Sequence, residues 1–294
     1  MPNYRPSDLS IPEFHQILLG TISPRPIAFA STVDKDGNVN LSPFSFFNVF
    51  GSSPGILVFS PTNSVKTGAK KNTLENVLEV PEVTINIVNY AMVEQMSLAS
   101  TAYPKGVDEF VKSGFTPIPS ELVKPPRVKE APASYECKVL EVKSFGDHGG
   151  AANLIICEVQ MVHLADDIFT DGKIDPQKID TVSRMGGDWY CRAKGDAVFE
   201  VEKPLSKLGI GVDSIPANIR NSNILTGNHL GKLGNVEALP TEEEVDSFAN
   251  EPEVSAILQA ELSADDIQTE LHKLAAQHLD NGDSEAAWKV LLQY

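Results

Sequence analysis

Residues 82–88, EVTINIV, place the tightest constraint on what this chain can become. Polar and apolar side chains alternate there, as in a strand that buries one face. Four further segments share its β-branched and aromatic character: PIAFASTV (26–33), GILVFS (55–60), ASYECKVLEVKSF (133–145) and ANLIICEVQMVHL (152–164). DKDG (34–37) marks a turn after the first, and FGDHGGAAN (145–153), with its paired glycines, joins the last two as a hairpin. Only one strong helical pattern interrupts them, NTLENVLEV (72–80). Asn72 is its expected N-cap, Glu75 completes a capping box, and Pro81 ends it. Shorter helices are expected around IPEFHQILLG and through YAMVEQMSLAS. Many strands with so few crossover helices predict a mainly β, antiparallel barrel rather than a doubly wound parallel sheet.

Near residue 204 the character changes. PLSKLGIGVDSIPANIRNSNILTGNHLGKLGNVEALP is rich in glycine and asparagine and predicts an extended, looping segment. TEEEVDSFAN, LSADDIQTELHKLAAQHLDNG and SEAAWKVLLQY then read as three helices. The expected division is therefore 1–203 and 204–294. A single helix pair cannot bury its own apolar face, so the last two helices are expected to pack on the barrel or on a second subunit.

The bulk properties narrow the function. Of a formal net charge of −16, residues 236–294 carry −12, from fourteen acidic residues and two lysines. The body is near balance and has no basic stripe to neutralise phosphates, which argues against a nucleic-acid partner. No apolar run approaches the ~20 residues of a membrane helix, and no leader pattern opens the chain. Cys137, Cys157 and Cys191 are odd in number and widely spaced, which suits reduced thiols in a cytoplasmic protein. His272 and His278 lack metal-ligand spacing, and GNHLGKLG (227–234) lacks the lysine–serine pair of a phosphate loop.

One stretch fits poorly with an ordinary core. NLSPFSFFNVF (40–50) holds four phenylalanines, yet Ser42, Ser45 and Asn48 sit among them and Pro43 interrupts the run. The order PRPIAFASTVDKDG, NLSPFSFFN, KKNTLENV, GDH and RMGGDWY resembles the flavin reductase-like family over roughly residues 15–200. That resemblance implies an antiparallel split β-barrel that binds FMN, with flanking helices, here followed by a C-terminal helical extension. It also implies a homodimer with the flavin at the subunit interface, and in many members reduction of flavin by NADH or NADPH.

The same resemblance assigns candidate residues. The backbone near Pro43 and Phe44 and the side chain of Ser45 line the ring edge, and Asn48 contacts the ribityl region. A flat apolar ring with polar edges needs such a mixture of wall and hydrogen-bonding groups. The phosphate falls to Lys71 and Thr73 at a helix start, where charge and free amides coincide. Ser60 faces the same pocket. Family members often carry aspartate where this chain has Asn72, which removes one negative charge. Arg25 meets the flavin or a nicotinamide phosphate, or serves as an exposed structural arginine. His148, in the GDH hairpin, falls beside the nicotinamide and tunes the rate; the inserted GGAAN lengthens that loop. In RMGGDWY, Tyr190 is a candidate stacking partner.

The function expected is an FMN-dependent oxidoreductase that passes hydride from NAD(P)H to flavin. Two alternatives remain open at this stage: an FMN-bearing electron carrier that meets a redox protein partner, and an interaction protein built on the barrel as scaffold.

Overall fold

The computed structural model describes residues 1–205 and 207–294 and divides into two compact units, Met1–Phe199 and Glu200–Tyr294. The first holds a seven-stranded, wholly antiparallel sheet. Its strands are β1 (Ala28–Val33), β2 (Val39–Phe44), β3 (Phe47–Ser52), β4 (Gly55–Phe59), β5 (Glu82–Ile87), β8 (Ala133–Ser144) and β9 (Asn153–Leu164). Two-residue pairs, β6 (Pro117–Ile118) with β7 (Arg127–Val128) and β10 (Phe169–Thr170) with β11 (Lys173–Ile174), decorate it. A last hairpin joins β12 (Val182–Arg184) to β13 (Tyr190–Arg192).

The order in the main sheet is β2-β1-β5-β8-β9-β4-β3. Its two edge strands, β2 and β3, are consecutive in the chain, and only Ser45 and Phe46 separate them. A flat sheet of seven strands would hold its edges about 29 Å apart. Three Cα–Cα steps from Phe44 to Phe47 reach at most about 11 Å. The sheet must therefore curl until its edges approach at that corner. No ladder pairs β2 with β3 among the described residues, so the curled sheet is left open along this seam. Pro43 is tolerated because β2 pairs only with β1, where it lies opposite Phe29.

Period-two alternation sorts the core into two faces. Ala28 and Ala30 join Phe44, Phe59, Ile85 and Ile155 in one cluster. Phe29, between them, joins Leu41, Met92, Met96 and Phe110 in the other. The helices of this unit are α1 (Ile11–Thr21), α2 (Asn72–Glu79), α3 (Val93–Leu98), α4 (Glu109–Ser113) and α5 (Pro176–Ile179). Leu74 and Val77 of α2 pack into the first cluster. The expected capping box of α2 is not formed. Lys71, not Asn72, holds the N-cap position, and no side chain caps the helix. Asn72 already lies within the first turn, so its side chain is one position too late to cap.

The second unit corrects two expectations. The glycine- and asparagine-rich stretch is not simply extended, for it contains α6 (Ala217–Arg220) and α7 (Gly227–Gly234). Thr226 caps α7 together with His229, which stands where a glutamate normally completes the box. Nor do the terminal helices need an outside surface. α8 (Glu242–Phe248), α9 (Pro252–Leu258), α10 (Ala264–Asp280) and α11 (Ser284–Leu291) close with α6 and α7 around Trp288, Leu233, Leu271, Leu279 and Val290. The indole of Trp288 donates to the Leu233 carbonyl at 3.1 Å, so the largest buried side chain of this core is also satisfied. Among the described residues no helix is long and apolar enough to cross a membrane, and no group of three His, Cys, Asp or Glu could hold a metal ion.

Glu109 covers part of the open seam. Its carboxylate accepts the Leu41 amide of edge strand β2 at 3.0 Å, although only 3% of the residue is exposed. Burial pushes its carboxyl above the ordinary 4.5, and the Leu41 bond only partly offsets this. A carboxyl raised on folding contributes stability below its unfolded value and loses it as pH rises through the folded value. Glu109→Gln keeps an acceptor for Leu41 without the charge. Its stability relative to the wild type should rise as pH climbs above about 4.5, as read by urea midpoints across pH 4–8. A constant difference across that range would contradict this account.

Candidate functional site

The corner between β2 and β3 organises the first unit. Ser45 and Phe46 form it, and the Phe46 carbonyl accepts the Ser60 amide at 2.9 Å, which draws in the end of β4. Arg25 fixes it from below. One terminal nitrogen of its guanidinium donates to the carbonyls of Leu19 and Ile22, each at 2.9 Å. The other donates to the Met185 carbonyl at 2.9 Å, and Nε reaches Ser45 Oγ at 3.4 Å. Leu19 and Ile22 lie at the C-terminal end of α1, where carbonyls lack helical partners and favour a cation. Burial, and then the like charge of Arg184, hold the Arg25 guanidinium below its ordinary value. Arg25 is thus buried and bonded to three protein carbonyls, which corrects the expectation of an exposed structural arginine.

From Ser60 the chain runs through 61–71 to α2, strapped to the 145–152 hairpin loop. Asn153 makes most of the strap. Its amide donates to Ser60 Oγ at 3.2 Å, and its Nδ2 donates to the Pro61 carbonyl and to Asn63 Oδ1, each at 3.0 Å. Asn63 and Ala151 add a backbone bond of 3.0 Å. Gly149 comes so close that a Cβ there would lie 2.8 Å from the Val65 carbonyl oxygen. The GGAAN insertion therefore serves as a contact surface for the 61–71 loop. His148 is exposed on this hairpin, and its carbonyl accepts from Asn63 Nδ2 at 3.3 Å.

At the far end of the loop, Lys70 and Lys71 are exposed beside the uncapped start of α2. Thr73 is 1% exposed, and its hydroxyl accepts from Asn40 Nδ2 at 2.8 Å. Its side chain therefore joins α2 to β2 and is turned away from solvent.

A family model described as the flavin reductase like domain matches residues 20–176, more than half of the chain. The chain belongs to the flavin reductase-like family. A protein of Halalkalibacterium halodurans is 36% identical over 201 residues, covering 68% of this chain and 95% of its own. One of Aquifex aeolicus is 35% identical over 188 residues, covering 64% and 93%. Among solved structures, nitrilotriacetate monooxygenase component B from Bacillus cereus aligns with a TM-score of 0.64 at 28% identity, over 68% of this chain and 98% of its own. Flavoredoxin of Desulfovibrio vulgaris shares the fold, with a TM-score of 0.52 at 24% identity over 63% and 94%. The family match ends before the second unit begins.

Within this flavin reductase-like domain the candidate residues do not all converge. Ser45, Ser60 and Arg25 meet at the corner, and Pro43 and Phe44 lead into it. The Phe44 ring itself turns into the core against Phe59, with centroids 5.5 Å apart, so only its backbone lines the corner. Asn48 is exposed on β3, and its Oδ1 accepts the neighbouring Val49 amide at 2.9 Å. Tyr190 stands apart on the β12–β13 hairpin beneath Arg184. Sequence reasoning overlooked Asn40, Asn63 and Asn153. Asn40 lies inside the quoted stretch, and Asn153 opens a strand that should favour β-branched residues.

Arg25→Met would leave the Leu19, Ile22 and Met185 carbonyls without their donor. The expected cost is about 3 kcal/mol, and Arg25→Lys should recover only part of it because an ammonium cannot reproduce the planar fork. Segment-resolved hydrogen exchange should show faster opening at 19–25, 45–46 and 184–189. Unchanged protection there would mean that Arg25 does not hold the corner.

Proposed function

We propose that the corner and the start of α2 together bind FMN, and that the protein is an NAD(P)H-dependent flavin reductase. The observation that carries this reading is the uncapped N-terminus of α2 beside exposed Lys70 and Lys71. First-turn amides without side-chain acceptors, next to two cations, suit a phosphate. The loop from that helix leads back to Ser60, which is bonded to the Phe46 carbonyl at 2.9 Å. Anion-binding and corner groups thus bracket one continuous segment, as a ligand with a planar head and a phosphate tail requires. The match to the flavin reductase like domain supports the same ligand class.

A bound flavin supplies the redox chemistry by accepting a hydride from a reduced nicotinamide. The chain's own residues position and hold. Arg25 keeps the Ser45–Phe46 corner in shape, Lys71 neutralises the phosphate, and Asn153 ties the intervening loop to the sheet. No side chain is required to move a proton in the hydride step. His148, exposed on its hairpin, is assigned a tuning role.

FMN added to the purified protein should show quenched fluorescence at micromolar concentration. Lys71→Gln should weaken binding about tenfold, equivalent to about 1.4 kcal/mol. Under anaerobic conditions NADH or NADPH should bleach the flavin. Binding without bleaching by either donor would favour an electron carrier, and absence of binding would remove the flavin reading altogether.

We further assign the homodimer contact to β3. This edge strand exposes Val49 (63%) and Phe50 (69%), an apolar strip that edge strands normally avoid. Phe50→Asp should shift the protein from dimer to monomer in light-scattering chromatography. A wild-type monomer, or a variant that remains dimeric, would exclude β3 as the interface.

A further inference from the structure

A cleft of about 400 Å³ opens between the β12–β13 hairpin and the segment that begins at Tyr90 and continues into α3. Its volume lies within the range of small-molecule sites. The hairpin register places Arg184 opposite Tyr190, and the guanidinium lies 4.7 Å from that ring's centroid. Such a directly opposed pair shares one face of the hairpin. Arg192 stacks on Tyr90 at 3.8 Å, but its charge is consumed by a fork-like pair with Asp180 at 2.7 and 2.6 Å. Arg184 has no such partner. Among the described residues its side chain makes one hydrogen bond, to the Trp189 carbonyl at 3.5 Å, and no ion pair.

The cleft therefore presents an uncompensated cation and the rings of Tyr90 and Tyr190. It also presents two carboxylates, Glu94 and Asp188, that enter no ion pair among the described residues. A simple aromatic acid would satisfy the cation and the rings, but it would bring no donor for either carboxylate. A nucleotide matches all three: a planar base, a phosphate, and ribose hydroxyls that donate to carboxylates.

We propose that this cleft binds a nucleoside 5′-phosphate, with Arg184 on the phosphate, the tyrosines against the base, and Glu94 or Asp188 accepting from the ribose. The nucleotide comes either free or as half of the dinucleotide donor; the second source rests on the reductase reading above. The position suits both. Arg25 and Arg184 exchange backbone bonds of 3.0 and 2.8 Å, and Arg25 Nε reaches Ser45, so one residue pair links the cleft to the corner.

Cys191 lines the cleft and is partly exposed, whereas Cys137 and Cys157 are fully buried. Burial pushes the Cys137 thiol up to about 12 and raises that of Cys157 well above its ordinary value. A disulfide reagent at neutral pH should therefore report on Cys191 in the intact wild-type chain. Saturating 5′-AMP should slow that reaction at least about fivefold. Adenosine and inorganic phosphate should each need about tenfold higher concentration, equivalent to about 1.4 kcal/mol. Dideoxy-AMP should protect less well than AMP, which tests the carboxylates without any substitution. Arg184→Gln should raise the half-protecting AMP concentration about tenfold. NADH protecting at lower concentration than AMP assigns the donor as source; AMP protecting as well or better assigns a free nucleotide. Protection by benzoate equal to that by AMP, or no protection by AMP at about 10 mM, a concentration that would saturate even a millimolar site, overturns the proposal. FMN quenching measured on the same sample separates its failure from failure of the flavin reading.

Discussion

The whole first unit follows from one covalent limit: two residues join the strands at opposite edges of a seven-stranded sheet. The chain cannot span a flat sheet in that distance, so curvature is imposed by connectivity before any side chain acts. What the side chains decide is how the forced meeting of edges is stabilised. β2 and β3 do not pair, so their corner must find other partners. Arg25 supplies one set by collecting carbonyls from α1 and from the 184–189 segment, with a longer contact to Ser45. Ser60 supplies another through the Phe46 carbonyl. A seam held by polar groups, not a ladder, is a natural place for a ligand, because backbone groups there remain unspent.

This explains how much of the fold could be read from sequence. The five strands with clear β-branched patterning appear in the structure within two residues of their expected limits. The strand nature of NLSPFSFFNVF did not show, because its proline and polar residues contradict a central strand. They are permitted on edge strands, which have one free side. The capping of α2 failed by a single position. Both Lys71 and Asn72 satisfy a pattern of polar residues before an apolar periodicity. The choice is made by Thr73, whose hydroxyl is buried against Asn40 from a strand 33 residues earlier. No local pattern contains that partner.

In the second unit the obstacle was composition. Glycine and asparagine across 204–240 suggest loops, yet Leu225, Leu230 and Leu233 recur at near-helical spacing, and Thr226 begins a cap. His229 concealed the box, since a histidine at that position is not the expected acceptor. Its ring nitrogen accepts the Thr226 amide while the other meets Asp280 at 2.9 Å, so one side chain serves both a helix start and a long-range tie. Because α7 buries Leu233 under Trp288, the terminal helices complete a core of their own.

The candidate site was legible as a set of residue types but not as a place. Ser45 sits at the corner, Ser60 and Lys71 stand at the two ends of the strapped loop that is bonded to it, and Tyr190 belongs to a different cleft. Arg25 and Arg184 show why the two places are related. Their backbones pair, so their side chains leave the same ribbon close together, and like charges there repel. For Arg25 the repulsion is offset by three carbonyls that take up its guanidinium. Arg184 has only a tyrosine face and one long contact, and among the described residues no carboxylate, Glu94 and Asp188 of the same cleft included, forms an ion pair with it. A chain that needed only structure could place a neutral residue there and avoid the repulsion. An uncompensated cation fixed on the wall of a cleft is better understood as half of an interaction whose other half arrives from solution.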